Sequence, residues 1–539
     1  MWHRVTDKNF SKASLAWRKK PRRWAPKSRQ GCKTCKIRRV KCDLARPSCL
    51  KCSSTGRACD GYNDATQHQA GEFHHILQTI GSLMIMPMTG SVQAEALCFF
   101  QNTSIEHINA YRPSQSWRNT LMYFVQTVPA VRHAALAVAS VHRKYLDRDY
   151  SIGASRSQYL KDWLSDTPPL LHYNRAIQLL LNQESGQDIG AIAITLLVCY
   201  LFVCFDQLAG DDVRAINHLS QGVKLLSHVD RTMLRNKDNY NEAIYSGYST
   251  LISQVRRQID RLDMQAVQMS VIWDPVSLQK SFTSQCLNSD TVFHSLDEAA
   301  DHLQILSTQI MRLRWCTEKD QKIFTAEQMQ PSLSILHNIV LGQLETWSSL
   351  FEKMLQHCSS SEVNSMAVSF PRLQYLIAWI LLNTRGSGRE MDYDHFLPRF
   401  QQSIKLASHV VATQKPYPES RKATFTPECG IIPILYIIGV KCRHPAVRRQ
   451  AVTLLRQRPI REASWESTIA ARVVERIIGI EEGGAGEEGM VQSMEQIPMW
   501  RRVEDVSWFN SASGRYAVTI NLTYTLCGGE ETYSESLMV

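Results

Sequence analysis

The stretch GCKTCKIRRVKCDLARPSCLKCSSTGRACDGY, residues 31–62, decides how the rest of the chain is read. Six of the fifteen cysteines lie here, spaced Cys32-x2-Cys35-x6-Cys42-x6-Cys49-x2-Cys52-x6-Cys59, so each half repeats C-x2-C-x6-C. A C-x2-C loop is short enough for two thiolates to chelate one ion, as tetrahedral zinc requires at a Zn–S distance near ~2.3 Å. Two tetrahedral ions need eight ligand positions. Six thiolates supply eight only when four are terminal and two are shared. Soft sulfur ligands select zinc over magnesium or calcium. With every position filled by sulfur, no site remains for an activated water, so such zincs are structural rather than catalytic.

Working outward, the charge is as unevenly placed as the cysteines. Residues 1–60 hold 18 Lys/Arg against three acids, a surplus of 15, whereas the remaining residues are slightly acidic. That split describes a polyanion-binding head on a near-neutral body. Within the head, Lys36-Ile-Arg-Arg-Val-Lys41 puts four cations between Cys35 and Cys42, while Ser53 to Ala58 offers Arg57 alone. The first half is therefore the one suited to a phosphate backbone. Met1 to Phe10 has no apolar secretory core, so the clustered cysteines are read as metal ligands rather than disulfides. The nine scattered cysteines are read as plain thiols.

The segment from Gly31 to Tyr62 resembles the fungal zinc binuclear cluster transcription factors, including Pro47 two residues before the fourth cysteine. The resemblance implies two zinc ions per chain. Cys32 and Cys49 would be the bridging pair, Cys35 and Cys42 would complete one site, and Cys52 and Cys59 the other. It also implies that Arg38 and Arg39 meet base edges in the major groove, where arginine on guanine is the commonest specific contact. Lys36 and Lys41 would contact phosphates, which fix register without reading sequence. By the same resemblance the partner is double-stranded DNA at G/C-rich, CGG-type sites, the compartment is the nucleus, and the targets are RNA polymerase II genes. A pathway-specific regulator of a fungal biosynthetic gene cluster fits that family.

The domain plan follows from composition and periodicity. Residues 1–29 form a basic arm, expected to be disordered without a partner. Within it, Arg18-Lys-Lys-Pro-Arg-Arg23 reads either as a nuclear localisation signal or as an extra phosphate-binding arm. Residues 30–62 are the cluster and 63–90 a linker without enough heptads for a dimerisation zipper. Residues 91–480 read as a large all-α regulatory domain, a helical bundle or superhelix. Helical spacing is clear at Val131–Leu146, His172–Leu181, Ala215–Leu226 and Gln450–Arg456, and Ser295-Leu-Asp-Glu298 is a capping box. Ile189 to Phe205 carries no charge for 17 residues, at the lower edge of a membrane span; without flanking cations or a second span it reads as a core helix. Residues 481–539 combine an acidic Gly-rich linker with a short β-hairpin, signalled by alternation from Tyr516 to Tyr524 and a partner strand over Arg502–Phe509.

The helical region resembles the regulatory region of the same family more weakly, through Pro129-Ala-Val-Arg-His-Ala134, His218-Leu-Ser-Gln-Gly222, Arg448-Arg-Gln-Ala451 and Trp465-Glu-Ser467. There it would recruit transcriptional co-regulators or a homodimer partner. Two other readings stand beside this one: a helical effector-binding or catalytic protein with an accessory nucleic-acid module, and a zinc cluster that mediates protein contacts. Against catalysis, the chain has no H-E-x-x-H, Walker A or G-x-S-x-G motif. Gly484-Ala-Gly-Glu-Glu-Gly489 fits G-x-G-x-x-G only literally, since its two glutamates would repel phosphate. His74, His75, His133 and His142 lack ligand-spaced neighbours and read as core or surface histidines.

Overall fold

In the computed structural model the uncharged run at Ile189 is the greater part of a 21-residue helix. The structure describes residues 32–38, 40–45, 48–59, 91–146, 168–182, 189–235, 242–268, 273–276, 287–288, 291–321, 331–356, 358–363, 365–384, 389–413, 424–483, 491–511, 519–529 and 531–538. The basic arm, the 63–90 linker and the glycine run 484–489 lie outside them. The chain divides into two compact units, the cysteine segment being one and the residues from 91 onward the other. The cysteine unit holds α1 (Lys33–Arg38) and α2 (Leu50–Ser53).

The second unit opens with α3 (Ser91–Phe99), a π-helical turn (Phe100–Ser104), α4 (Ile105–Ile108), α5 (Gln115–Thr127), α6 (Pro129–Leu146) and α7 (Pro168–Leu181). It continues with α8 (Ile189–Ala209), α9 (Asp212–Arg235) and α10 (Glu242–Ala266). By length and composition α8 could cross a membrane, yet α6, α9 and α10 pack on it and most of its side chains are buried. A helix apolar all round belongs at the centre of a core. The quoted His218–Gly222 motif is part of this packing. Cys199 Sγ on α8 donates to the His218 carbonyl at 3.0 Å, and a Cβ on Gly222 would come within 3.2 Å of that sulfur.

A second core gathers α11 (Leu296–Gln321), α12 (Pro331–Leu355) and α14 (Met366–Asn383), and the same stretch of chain includes the short helices α13 (Ser360–Val363) and α15 (Arg389–Asp392). With them are α16 (Leu397–Thr413), α17 (Ile431–Lys441), α18 (Pro445–Gln457) and α19 (Ser467–Glu482). The Ser295 half of the capping box is formed at the start of α11: the Glu298 N–H donates to Ser295 Oγ at 3.1 Å, while Glu298 Oε2 accepts from the His294 N–H, one residue before the cap, at 2.7 Å. All eleven residues of α17 are buried, and α19 approaches so closely that a Cβ on Gly439 would meet Val474 at 2.5 Å. Trp273 packs against both cores.

The C-terminal hairpin is present as β4 (Val503–Ser511) and β5 (Thr519–Leu526), antiparallel, with Trp508 opposite Leu522. A third strand, β6 (Thr532–Met538), pairs with β5 and extends the hairpin to a sheet. Sequence reading passed over β6 because its side chains are almost all exposed, which leaves no apolar alternation to detect. A smaller sheet joins β1 (Thr424–Thr426), β2 (Ile460–Glu462) and β3 (Trp465–Glu466). Strands of two or three residues carry no periodicity at all.

Candidate metal centre

Each C-x2-C begins a helical turn, so the first cysteine of each pair precedes α1 or α2 and the second sits inside it. The sequence repeat returns in the hydrogen bonds, shifted by the 17 residues that separate Cys32 from Cys49. Lys36 N–H donates to the Cys32 carbonyl at 3.0 Å, and Ser53 N–H to that of Cys49 at 3.1 Å. Val40 N–H reaches the Cys35 carbonyl and Arg57 N–H the Cys52 carbonyl, both at 3.1 Å. Cys32 N–H points at Cys42 Sγ and Cys49 N–H at Cys59 Sγ, both at 3.5 Å. Backbone donors aimed at sulfur favour thiolates.

The sulfurs form two four-membered groups: Cys32, Cys35, Cys42 and Cys49 in one, Cys32, Cys49, Cys52 and Cys59 in the other. Within each group all ligand atoms lie within 4.8 Å of one another. A zinc tetrahedron with Zn–S near ~2.3 Å has sulfur–sulfur edges of ~3.8 Å. Cys32 to Cys49 measures 3.5 Å, Cys32 to Cys52 3.8 Å and Cys35 to Cys49 3.6 Å. The donor set therefore fits two zincs sharing two sulfurs, and the shared members are the two cysteines that open the repeats. Without a cation the thiol form is favoured: burial raises Cys35 well above its ordinary value, and its sulfur neighbours add to that. Bound cations supply the positive charge that lets the sulfurs lie side by side as thiolates.

Side chains stitch the halves together. Asp43 accepts from Leu50 N–H at 2.9 Å and Lys51 N–H at 3.1 Å, covering the exposed start of α2; the Leu50 bond and its neighbour hold this carboxyl below its usual range. Thr34 Oγ1 donates to the Ala58 carbonyl at 3.3 Å. Sequence reading missed both residues, although an acid directly after the third cysteine was a visible signal. Of the expected DNA contacts, Lys36 and Lys41 are exposed. Arg38 is half-buried, and its Nη1 donates to Thr55 Oγ1 at 3.1 Å and the Lys51 carbonyl at 3.4 Å, so it spans the two halves. Arg39 and Pro47 lie outside the described residues.

Elsewhere the described residues bring no other three potential ligands together. His142 pairs with His107 at 3.0 Å and with Ser104 Oγ at 2.9 Å, and His133 with His172 at 2.9 Å. Burial lowers His107 and His133 to about 4, which keeps them neutral. The described cysteines beyond the cluster are free thiols, and burial lifts Cys199 to about 12.

Residues 30–69 match the family model of the fungal Zn(2)-Cys(6) binuclear cluster domain. Over 94% of this chain and 96% of its own length, the aspercryptin biosynthesis cluster-specific transcription regulator of Emericella nidulans is 24% identical. The transcription regulator lscL of Purpureocillium lilacinum is 25% identical over 35% of this chain and 47% of its own. Transcriptional regulatory protein moc3 of Schizosaccharomyces pombe is 51% identical over 8% of this chain and 9% of its own. No solved structure matches the chain. Six sulfurs arranged for two shared-ligand zincs, under a matching family model and beside relatives named as regulators, make residues 30–69 a fungal Zn(2)-Cys(6) binuclear cluster domain that binds two zinc ions, and support a DNA-binding transcription factor.

Proposed function

We propose that the protein acts in the nucleus on RNA polymerase II genes, reading G/C-rich, CGG-type sites in the major groove. The observation that carries this is the pairing of a two-zinc cysteine cluster with four cations between Cys35 and Cys42, Lys36, Arg38, Arg39 and Lys41, against a single one, Arg57, between Cys52 and Cys59. Cys32 and Cys49 serve as the bridging ligands, Cys35, Cys42, Cys52 and Cys59 as the terminal ones. Lys36 and Lys41 anchor phosphates. Arg38 exchanges its bonds to Thr55 and Lys51 for base-edge acceptors when the groove is engaged, and Arg39 reads beside it. The zincs supply a structural cross-link, and the protein performs no catalysis.

The domain plan gives the rest of the chain its tasks: arm 1–29 for nuclear entry and extra phosphate contact, linker 63–90, regulatory domain 91–480 for co-regulators or a homodimer partner, and the 481–539 tail. Because the Emericella nidulans relative is named for one biosynthetic cluster and aligns along nearly the whole chain, the targets are proposed to be genes of one fungal biosynthetic cluster. Selection of binding sites from random duplexes by the zinc-loaded full chain tests the reading. CGG triplets should be enriched, and R38A with R39A should abolish the preference while leaving salt-sensitive non-specific binding. Undiminished discrimination by the double variant would refute base reading by these arginines.

A further inference from the structure

Helix α1 carries one side chain whose place neither the metal centre nor the charge explains. Cys35 Sγ lies among the other sulfurs, and successive side chains on a helix are turned by ~100°, so Ile37 stands about 200° round from it, on the side directed away from the sulfurs. Ile37 is 79% exposed. Lys36 before it is exposed too, and Arg38 after it is half-buried against the second half. An isoleucine therefore tops the helix that carries the cations of the first half.

The internal repeat shows that the scaffold does not require it. Seventeen residues on, the second half builds the same turn, with Ser53 N–H on the Cys49 carbonyl as Lys36 N–H is on that of Cys32. There the counterpart of Ile37 is Ser54, also exposed. Isoleucine and serine are alike in helix propensity, so helix formation does not choose between them. What separates the two halves is charge: four cations lie between Cys35 and Cys42, and Arg57 alone between Cys52 and Cys59. A lone exposed apolar residue on a large surface needs no explanation. This one crowns the single short helix suited to lie against phosphates. In the major groove the bases present donors and acceptors, and one apolar group, the 5-methyl of thymine. A hydrocarbon side chain gains on meeting that methyl, and loses where it strands a donor or acceptor from water.

We propose that Ile37 is a specificity-determining residue, packing on the 5-methyl group of a thymine at a base pair next to those met by the arginines. The inference rests on the reading above that the first half of the cluster enters the major groove, and its test separates the two. The zinc-loaded full chain first selects its site from random duplexes. That site is then remade with each thymidine replaced in turn by deoxyuridine, which removes one methyl and leaves every hydrogen bond in place. At one position the uracil duplex should bind about fourfold more weakly, the worth of one buried methyl. In I37S the thymine-to-uracil ratio at that position should fall to about one, and in I37L it should recover to about twofold or more. Elemental zinc in each variant checks that the cluster is loaded, and the uracil scan of the unaltered chain needs no variant to fold. R38A with R39A is tested on the same duplexes. Triplet discrimination that survives in that pair overturns the groove reading, and the role of Ile37 with it. If that pair loses discrimination but the selected site holds no thymine, no uracil weakens binding, or the weakening persists in I37S, base reading stands and the role of Ile37 is overturned.

Discussion

The cysteine unit and the helical unit reach a fixed structure by opposite routes. From Cys32 to Cys59 the side chains buried are sulfurs, while Ile37, Val40, Leu44 and Leu50 all stand exposed. Such a segment cannot bury enough apolar surface to offset its chain entropy, so coordination must supply the difference. The helical unit does the reverse. It buries two large apolar clusters and then tolerates charges deep inside, provided they are paired. Glu390, Lys441, Arg443, Arg448 and Glu481 form one such chain of ion pairs, and each is essentially inaccessible to water. Metal fixes what is too small to have a core; packing fixes what is large enough to hold ions within one.

The comparison can be broken most decisively at the shared sulfurs. C32S or C49S should cost both zincs, whereas C59S should cost one. Since structural zinc is worth on the order of 10 kcal/mol, the first two should unfold the cysteine unit and leave the thermal midpoint of the helical unit unchanged. Zinc content by elemental analysis, read beside circular dichroism of the full chain, checks it; full zinc in C32S would end the sharing argument.

On the helical side the corresponding break is E481A. Burial opposes ionisation of Glu481, but Arg443 at 2.9 Å and Arg448 at 2.7 Å hold its carboxyl below the ordinary range, and it also accepts from Val503 N–H. Removing it strands buried guanidiniums, for an expected loss of about 3–5 kcal/mol in urea unfolding with zinc content unaltered.

A comparable effect sharpens the rule that buried charge needs a partner. Asp206 on α8 is fully buried, with Arg214 and His218 no nearer than 3.8 and 3.6 Å, and burial raises its carboxyl to about 7 while Arg214 opposes the shift. A folded value above the unfolded one means the stabilisation is complete below about pH 4 and is lost as pH rises through 7. D206N should therefore remove a fall in stability of the order of 4 kcal/mol between those limits. Identical pH profiles for the two proteins would show that the carboxyl stays ionised throughout.

Least in size is L44N in the cysteine unit. Leu44 holds a φ of +64°, a region in which asparagine is more at home than leucine. The variant should hold zinc against a competing chelator by up to about 1 kcal/mol better, and weaker retention would mean that the leucine side chain contributes something the backbone does not.

Much of this was legible before any coordinates. The repeat from Cys32 to Cys59 specifies its own ligands because all six lie within one short loop-rich stretch, and chelation is a local constraint. Helix α8, the capping box at Ser295 and the alternation from Ile520 to Tyr524 were readable for the same reason, since period and cap are properties of neighbouring residues. Arg448 and Trp465, noticed only as parts of short motifs, turn out to be an ion-pair member and an aromatic packed against Tyr436 and Trp508.

Only tertiary structure could decide the remainder. Tyr111 meets Glu462 across 351 residues, and that carboxylate in turn accepts from the Gly430, Ile431 and Ile432 N–H groups at the start of α17. Lys441 finds Glu390 at a separation of 51. Nothing near either glutamate marks it as buried, because a charged residue reads as surface until the fold brings its partners, neutral donors for Glu462 and a cation for Glu390. Sequence alone settles what neighbouring residues can do to one another, here a metal-held DNA-binding head on a helical body. Which distant charges and amides meet is settled by the packing of whole helices, whose free energy is a sum over the entire core.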